Sequence, residues 1–523
     1  MVQGTSSSAG KSAITAGLLR YFSNKGVSCS PFKSQNMSLN SFVTEDGFEI
    51  SSAQAVQCEA AFKKPLRQVN PILIKPASDT QMHLIVEGKH YGNMNFKEYN
   101  GKKDFFVKKA AESFDFLAGA NDLIVVEGAG SPAEINLFKY DIANMGFAQI
   151  YDIPVILTAD IERGGVFASI YGTVKLLPPK WRRLIKGFII NKFRGDASIL
   201  ESGIKDIEKR LKIPCLGVIP HIKNLSFEAE DSLELKASCG RQAGYNGGRI
   251  DGSGNGNKIK IGIVRLDRIS NFNEFDPLFL DGRINARFFD SVPYVENDFD
   301  IVVIPGSKST ISDLLSIKRS KVFDYIKNFE KYGIIMGICG GFQMMGESIK
   351  DQGNIESSHE KDEAGLGFFR TETVLSAEKV LLNRRYIFRT GNAGRESLLT
   401  GYEIHNGRTF FTGDHNGSGI RTNVFVPSGE TPHNFSPENG IISEDGKKIG
   451  TYIHGLFANA DFKNFLIGTA EKNLKSMGKD IDLNLKAGKP QAYETVKNES
   501  FNLLSENIEN HIDIKLLRNI IGI

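Results

Sequence analysis

Short runs of apolar, mostly β-branched residues alternate with amphipathic segments along the first part of the chain. Nearly all-apolar runs of this kind are typical of strands that are buried on both faces of a parallel sheet. The apolar runs of this chain occur in the segments DLIVVEGAGS, IPVILTADI, LIKGFIINKF and IPCLGVIP. Between the last two, ILESGIKDIEKRLK places its apolar residues at helical spacing. The pattern predicts one α/β domain over residues 1–236.

The same pattern restarts after a polar interval. Residues 237–258 are dense in Gly and Asn and almost free of large apolar residues, which is typical of a flexible linker. KIKIGIVRL, DFDIVVIPGSKST and YGIIMGICGG then predict the strands of a second α/β domain over 259–460, with irregular insertions between about 352 and 440. From 461 to 523 a charged, helical pattern predicts a C-terminal helical extension. The expected fold class is α/β, with two doubly wound, mostly parallel-sheet domains.

The composition narrows the class of protein. A chain of 523 residues is too long for a single hydrophobic core, so more than one domain is expected. A net charge of +3 gives no strong electrostatic field, so neither nucleic acid nor a membrane is expected as a partner. No apolar run approaches the roughly 20 residues of a membrane span. The five cysteines form no CxxC pair and the first residues do not resemble a signal peptide. We expect a cytoplasmic enzyme.

The segment GTSSSAGKS ends as a phosphate-binding loop does, but five residues separate its glycines where the standard loop has four. Glycines let backbone amides converge on phosphate oxygens, a lysine adds a point charge, and the final hydroxyl can ligate Mg²⁺. The residues assigned to these roles are Gly4, Thr5, Gly10, Lys11 and Ser12. Only three residues precede the loop, so its strand is short or the native start lies upstream.

Two further residues of the first part are candidates for the same site. Glu127 in VVEGAGS follows a predicted strand, where a second Mg²⁺ ligand would sit; a solvated loop acid is the alternative. Lys33 in PFKSQN also follows a short strand and would reach a phosphate, although a surface lysine fits the pattern equally well.

The second domain contains a candidate nucleophile, Cys339 in GICGG. Small residues on both sides allow a sharp turn from strand to helix, which exposes the central side chain, and the helix N-terminus stabilises its thiolate. The Gly340 amide would face the oxyanion of a tetrahedral intermediate, with a second donor from Gly306 and Ser307. A buried structural cysteine is the alternative.

A thiolate needs a proton carrier, which is normally a histidine. His454 in GTYIHGLF ends a predicted strand and is followed by Gly455, and His405 in GYEIHNGRT is the competitor.

GICGGFQMMG resembles the nucleophile motif of the class I-type glutamine amidotransferases, and GYEIHNGRT with GTYIHGLF resembles its cobyric acid synthase branch. This resemblance covers nearly the whole chain and includes PFKSQNMSLNS, NPILIKPASDT, ADIERGGVFASIYGT and RLDRISNFNEFDPL. It implies that Cys339 and His454 act together. The wider group places a Glu two residues after the histidine; Leu456 stands there, so the third member is not assigned.

The spacing of GTSSSAGKS is similar to the longer loop, G-x5-G-K-[ST], of the dethiobiotin synthetase-like ligases. That resemblance implies Glu49 as a metal ligand and Asn191, at a strand end in IINKF, as a purine contact. The resemblance to the cobyric acid synthase family implies a corrinoid substrate, which Asp160, Arg163 and the glycines of ADIERGGVFAS would help to bind, with a structural turn as the alternative.

The activity of the cobyric acid synthase family is the glutamine- and ATP-dependent amidation of the b, d, e and g carboxylates of adenosylcobyrinic acid a,c-diamide. The resemblance therefore implies ATP and glutamine as co-substrates, Mg²⁺ as the cofactor and a corrinoid as the substrate. Three alternatives remain: the synthase that amidates the a and c carboxylates of cobyrinic acid, a P-loop ATPase switch of the partitioning type, and a non-catalytic corrinoid-binding protein. PFKSQNMSLNS and RISNFNEFDPL favour the b, d, e, g enzyme over the first.

Overall fold

The chain folds into two compact units in this computed structural model. Unit 1 consists of Met1–Ser38, Phe48–Glu228 and Val496–Ile523, and unit 2 of Leu39–Gly47 and Ala229–Thr495. The residues that the structure describes are 1–76, 80–222, 225, 258–292, 298–356, 362–390, 395–413, 419–429, 437, 440–479 and 492–523. The predicted linker lies outside them, apart from Lys258, and the domain boundaries stay a prediction.

Unit 1 has an α/β order of elements. Its strands are β1 (Val2–Gly4), β2 (Cys29–Phe32), β3 (Gln35–Met37), β5 (Glu49–Ser51), β6 (Ile72–Pro76), β7 (Gln81–Val86), β8 (Lys89–Asn95), β9 (Leu123–Val126), β10 (Val155–Asp160), β11 (Ile185–Phe193) and β12 (Cys215–Pro220). Its helices are α1 (Lys11–Asn24), α2 (Ser52–Ala60), α3 (Phe96–Gly101), α4 (Lys103–Ala118), α5 (Met145–Ala148), α6 (Val166–Leu176), α7 (Pro179–Arg182), α8 (Glu201–Leu211), α14 (Tyr493–His511) and α15 (Ile514–Ile521). 3₁₀ helices lie at Arg67–Val69, Ile135–Tyr140 and Ala197–Leu200.

A parallel sheet in the order β1-β10-β11-β12 forms the centre of unit 1. β2 and β9 pair in parallel beside it, and a single bridge joins Val2 to Glu127 at the end of β9. The apolar runs of the sequence thus form the predicted parallel strands. β1 needs only three residues because all three are buried and in register with β10.

The core of unit 1 takes in helices from both ends of the chain. Leu19 and Phe22 of α1 lie in the same apolar cluster as Phe501 and Leu504 of α14. The last helices of the chain therefore contribute to this core, and a Cβ at Gly17 of α1 would lie 3.0 Å from the Ile508 side chain. In the described ranges, no helix is both long enough and apolar enough to cross a membrane.

Unit 2 is also α/β. Its strands are β4 (Ser41–Val43), β13 (Ile259–Val264), β14 (Ile284–Phe289), β15 (Ile301–Ile304), β16 (Ile334–Ile338), β17 (Ser348–Lys350), β18 (Asp362–Ala364), β19 (Thr371–Thr390), β20 (Arg395–Phe411), β21 (Ile420–Arg421), β22 (Phe425–Pro427), β23 (Ile441–Ser443), β24 (Lys448–Thr451) and β25 (Ile453–His454). Its helices are α9 (Asp276–Phe279), α10 (Thr310–Lys318), α11 (Lys321–Phe329), α12 (Gly340–Met344) and α13 (Ala460–Ser476), with 3₁₀ turns at Phe272–Phe275 and Leu456–Ala458.

The main sheet of unit 2 has the order β14-β13-β15-β16-β24-β23-β21. The strands from β14 to β24 are parallel, and β23 and β21 are antiparallel. The inner strands β15 and β16 are buried at every position. Since β16 and β24 are neighbours, the residues that follow them meet at one edge of the sheet.

The expectation of irregular insertions between about 352 and 440 is wrong. The described residues of this interval form a long antiparallel pair, β19 with β20, in a second sheet of order β18-β17-β19-β20-β25. Partly exposed charged residues such as Glu372, Arg384 and Arg389 interrupt the apolar runs of β19. A search for continuous apolar runs misses such a strand, because only one of its faces is buried.

Residues Leu39–Gly47 belong to unit 2 although they lie in the N-terminal part of the chain. The side chain of Asn40 accepts the N–H of Phe272 (3.1 Å), and the N–H of Ser41 donates to the side chain of Asn271 (2.8 Å). The carbonyl of Val43 accepts the Asn383 amide (2.6 Å). These bonds hold the segment against β19 and against the residues that precede α9, and the sequence pattern did not predict them.

Candidate functional site

The glycine-rich loop follows β1 and ends at α1. Gly10, which caps the helix, has φ +89°, and a Cβ there would lie 2.1 Å from the Asn191 side-chain nitrogen. Only glycine fits both the backbone and the space. Asn191, at the end of β11, donates its amide to the carbonyl of Ala9 (3.1 Å) and thereby braces the loop. A purine contact by Asn191 stays a prediction.

Lys11 folds back onto the loop that precedes it. Its Nζ donates to the carbonyls of Ser6 (3.0 Å), Ser7 (3.0 Å) and Gly130 (3.1 Å), and the residue is only 3% exposed. The ammonium is therefore held beside the backbone that would surround phosphate oxygens.

Two residues predicted for the nucleotide site, Ser12 and Lys33, meet at the carboxylate of a third, Glu127. Its Oε1 accepts the Ser12 hydroxyl (2.9 Å) and the Lys33 ammonium (2.9 Å), and its Oε2 accepts the side-chain amide of Gln57. Glu127 is fully buried at the end of β9. Mg²⁺ binds oxygen ligands. A hydroxyl and a carboxylate oxygen that lie side by side can ligate it together with phosphate and water.

Glu49 has a cationic partner that the sequence did not indicate. It begins β5 and forms a buried ion pair with Lys75 of β6 (2.6 Å). Among the described residues, no group of three or more His, Cys, Asp or Glu side chains is arranged to hold a metal ion. Metal ligation by Glu49 stays a prediction.

Asp160 ends β10, and it pairs with Lys192 (3.2 Å), whose Nζ also donates to the carbonyl of Ser8 (2.9 Å). Arg163 is exposed in the turn that follows. Asp160 thus supports the glycine-rich loop through Lys192. Corrinoid binding by Asp160 and Arg163 stays a prediction.

Cys339 occupies a sharp turn between β16 and α12. Its backbone has φ 52° and ψ −111°, a strained conformation for a residue with a side chain. A Cβ on Gly341 would lie 1.9 Å from the carbonyl oxygen of Ile304, so the turn needs glycine on its inner side. This is the geometry of a nucleophile elbow. The residue is 6% exposed, and its thiol donates to the carbonyl of Ile404 (3.5 Å).

The residues predicted to form an oxyanion hole lie around this turn. A Cβ on Gly340 would be 2.9 Å from the backbone nitrogen of Ser307, and one on Gly306 would be 3.0 Å from Cε1 of His454. The loop after β15 therefore packs directly on the elbow and on the histidine. Close backbone approach of this kind is what an oxyanion hole made of main-chain amides requires.

His454 ends β25 with no exposed side-chain surface, and its side chain is hydrogen-bonded with that of Cys339. Burial opposes protonation, but the Glu274 carboxylate and the hydrogen bond with Cys339 outweigh it, and the pKa of His454 is raised to about 10. The ring of Tyr402 stacks on the imidazole, with centroids 5.3 Å apart and planes inclined by 19°. A protonated imidazole next to the sulfur favours the thiolate.

Glu274 is the residue near this pair that the sequence reasoning missed. Its Oε1 lies 2.9 Å from His454 Nδ1, and its Oε2 accepts the N–H of Gly455 (3.2 Å). Leu456, at the position where the wider group has its Glu, is buried in apolar packing. In SNFNEFDPLF, aromatic residues stand on both sides of Glu274, and this was a usable signal, since a buried carboxylate needs a partner.

His405, the competing histidine, is oriented differently. Its Nδ1 lies 2.7 Å from the carbonyl of Gly407, its Nε2 lies 3.4 Å from Glu403, and its ring stacks on Tyr452. Both ring nitrogens face groups other than the sulfur of Cys339, which favours His454 as the proton carrier.

A phosphate-binding loop in one α/β unit and a cysteine–histidine pair at an elbow in the other define a glutamine-dependent amidotransferase that uses a nucleotide. Two family models match the chain accordingly. Residues 1–235 match the CobQ/CobB/MinD/ParA nucleotide binding domain, and residues 260–462 match the CobB/CobQ-like glutamine amidotransferase domain.

Similar proteins extend over the whole chain. A cobyric acid synthase of Clostridium tetani is 38% identical and covers 100% of this chain and 98% of its own length. One of Clostridium novyi is 40% identical (100% and 97%), and one of Listeria monocytogenes is 42% identical (94% and 92%). The chain belongs to the cobyric acid synthase family. It is an ATP-dependent amidoligase that takes nitrogen from glutamine in cobalamin synthesis.

Proposed function

We propose that the chain amidates the b, d, e and g carboxylates of adenosylcobyrinic acid a,c-diamide to give adenosylcobyric acid. The observation that carries the proposal is the contact between Cys339 and His454 in the same chain as the loop that ends in Lys11. One centre would release ammonia and the other would activate a carboxylate. A partitioning-type ATPase switch needs no such elbow.

In the glutaminase half, His454 takes the proton of Cys339, and the thiolate attacks the side-chain amide carbon of glutamine. The oxyanion that forms faces main-chain amides of Gly340 and of the loop at Gly306 and Ser307. His454 then gives the proton to the leaving nitrogen, so ammonia departs and a thioester remains. Water hydrolyses the thioester, which releases glutamate and restores the thiol.

In the ligase half, a corrinoid carboxylate oxygen attacks the γ-phosphorus of ATP, ADP leaves, and an acyl phosphate forms. The backbone of Gly4, Thr5 and Gly10 binds the phosphates, and Lys11 offsets the charge that develops on the transferred group. Ammonia then attacks the acyl carbon and phosphate leaves, which gives the amide. Phosphorylation is needed because a free carboxylate has no good leaving group.

Mg²⁺ fits the donors Ser12 and Glu127, with Glu49 as a further candidate ligand. When bound, it neutralises phosphate charge. Lys33, which pairs with Glu127, would be within reach of the same phosphates. The four cysteines in the described residues are free, which suits the reducing cytoplasm that we propose as the location.

A comparison of two corrinoid substrates tests the proposal. With ATP, glutamine and Mg²⁺, we expect adenosylcobyrinic acid a,c-diamide to be converted to the hexaamide and cobyrinic acid to be a poor substrate. Mass spectrometry of the corrinoid gives the number of amidations. Turnover of cobyrinic acid to its diamide, with none of the a,c-diamide, would instead identify the enzyme of the a and c positions.

A further inference from the structure

A buried carboxylate contacts the imidazole of His454 at Nδ1. Glu274 lies in the 3₁₀ turn Phe272–Phe275, and its side chain is 2% exposed. One of its oxygens is 2.9 Å from His454 Nδ1, and the other accepts the N–H of Gly455. Glu274 is therefore hydrogen-bonded both to the imidazole ring and to the backbone of the next residue.

This arrangement determines which ring nitrogen is left to exchange a proton. A carboxylate accepts hydrogen bonds, so the contact at Nδ1 requires Nδ1 to carry a proton. Nε2 is then the nitrogen that exchanges a proton with Cys339. The side-chain amide nitrogen of Asn271, three residues before Glu274, lies 3.5 Å from Nε2.

We propose that Glu274 is the positioning residue of the glutaminase site, fixing the tautomer of His454 and stabilising the imidazolium that forms when Cys339 loses its proton. It acts through the histidine, by its contacts with the ring and with the Gly455 N–H. This inference rests on the proposed function, since it assigns a role within the glutaminase half. The wider amidotransferase group has its Glu two residues after the histidine. In this chain, Glu274 would take the role of that Glu from a distant position in the sequence.

The proposal predicts how the activity of the glutaminase site depends on pH. The titratable groups that face the imidazole are Glu274, the thiol of Cys339 and the stacked ring of Tyr402. Glu274 favours the imidazolium, so the protonated pair is present below the raised pKa of His454 and is lost as the pH rises through it. If the charge of Glu274 is removed, the pKa of His454 falls, and the protonated pair must therefore be lost at a lower pH.

The test is the pH profile of kcat/KM for glutamate release in Glu274→Gln. The amide is nearly isosteric and still accepts the Gly455 N–H, but it carries no charge. We expect kcat/KM at neutral pH to fall roughly 10²-fold and the alkaline limb to move down by about 1–3 pH units. Glu274→Asp keeps the charge but is shorter; we expect a loss of about 10-fold and a limb nearer to that of wild type.

Glu403→Gln is the matched control, because Glu403 is also a buried carboxylate beside a histidine, His405. We expect its alkaline limb to stay in place. A limb that moves in Glu403→Gln and not in Glu274→Gln would overturn the proposal in favour of His405. If Glu274→Gln does not fold, wild-type kcat/KM in Glu274→Asp would overturn it equally.

The same measurements distinguish a failure of the proposed function from a failure of the role assigned to Glu274. Ammonia-dependent amidation should persist in Glu274→Gln, which shows that the ligase half is intact. If wild type itself releases no glutamate, the proposed function fails; if wild type and Glu274→Gln release it with the same profile, only the role of Glu274 fails.

Discussion

Replacing Cys339 with serine is expected to lower glutamate release and glutamine-dependent amidation by at least about 10³-fold. The thiolate is the nucleophile in the proposed reaction, and a serine hydroxyl beside His454 is a far weaker one, because its pKa lies well above that of a thiol. The ligase half does not use this sulfur. Amidation with an ammonium salt at mildly alkaline pH should therefore persist, as measured by ATP-dependent phosphate release and by the mass of the corrinoid.

Cys215→Ser is the matched control for this variant. Cys215 is a free, partly buried cysteine of β12 in unit 1, and its substitution should leave both nitrogen sources usable. Wild-type glutamate release by Cys339→Ser would show that Cys339 is structural. Loss of ammonia-dependent amidation as well would show that the substitution disturbs more than the glutaminase.

Replacing Lys11 with methionine should have the complementary effect, with amidation lost for glutamine and ammonia alike. The methionine side chain is similar in length and uncharged, so it removes the ammonium that offsets charge on the transferred phosphoryl group. Losing one such electrostatic contact costs about 10²- to 10³-fold in rate. The measurement is corrinoid-dependent phosphate release with ammonia as the nitrogen donor.

Lys25→Met supplies the control for Lys11→Met. Lys25 follows the same helix, α1, and makes an exposed ion pair with Glu509 (2.7 Å). Such pairs contribute about 0–1 kcal/mol to the free energy of unfolding, so its loss should leave the rate unchanged. Wild-type phosphate release in Lys11→Met would contradict a nucleotide site at the glycine-rich loop.

The sequence predicted those parts of the fold whose signal is local. Buried parallel strands such as β10 and β16 are continuous apolar runs, and the residues after such strands gather at one sheet edge. Ser12 and Glu127 could therefore be assigned to one place although 115 positions separate them. The family resemblance supplied the identity of the substrates, which no local pattern contains.

The parts that the sequence did not predict depend on contacts between distant segments. The contact of Glu274 with His454 joins residues 180 positions apart, and it is made by a short 3₁₀ turn with no periodicity of its own. The membership of Leu39–Gly47 in unit 2 likewise depends on single hydrogen bonds made by Asn40 and Ser41. Nothing in the spacing of apolar residues encodes such pairings.

Transfer of the glutamine nitrogen to the corrinoid is the most direct test of the account. Wild-type protein would be incubated with ATP, Mg²⁺, adenosylcobyrinic acid a,c-diamide and glutamine labelled with ¹⁵N at the side-chain amide. We expect the product to carry ¹⁵N in each newly formed amide, at the b, d, e and g positions, with phosphate and glutamate released in step. An unchanged a,c-diamide, together with ATP hydrolysis that does not depend on the corrinoid, would contradict it.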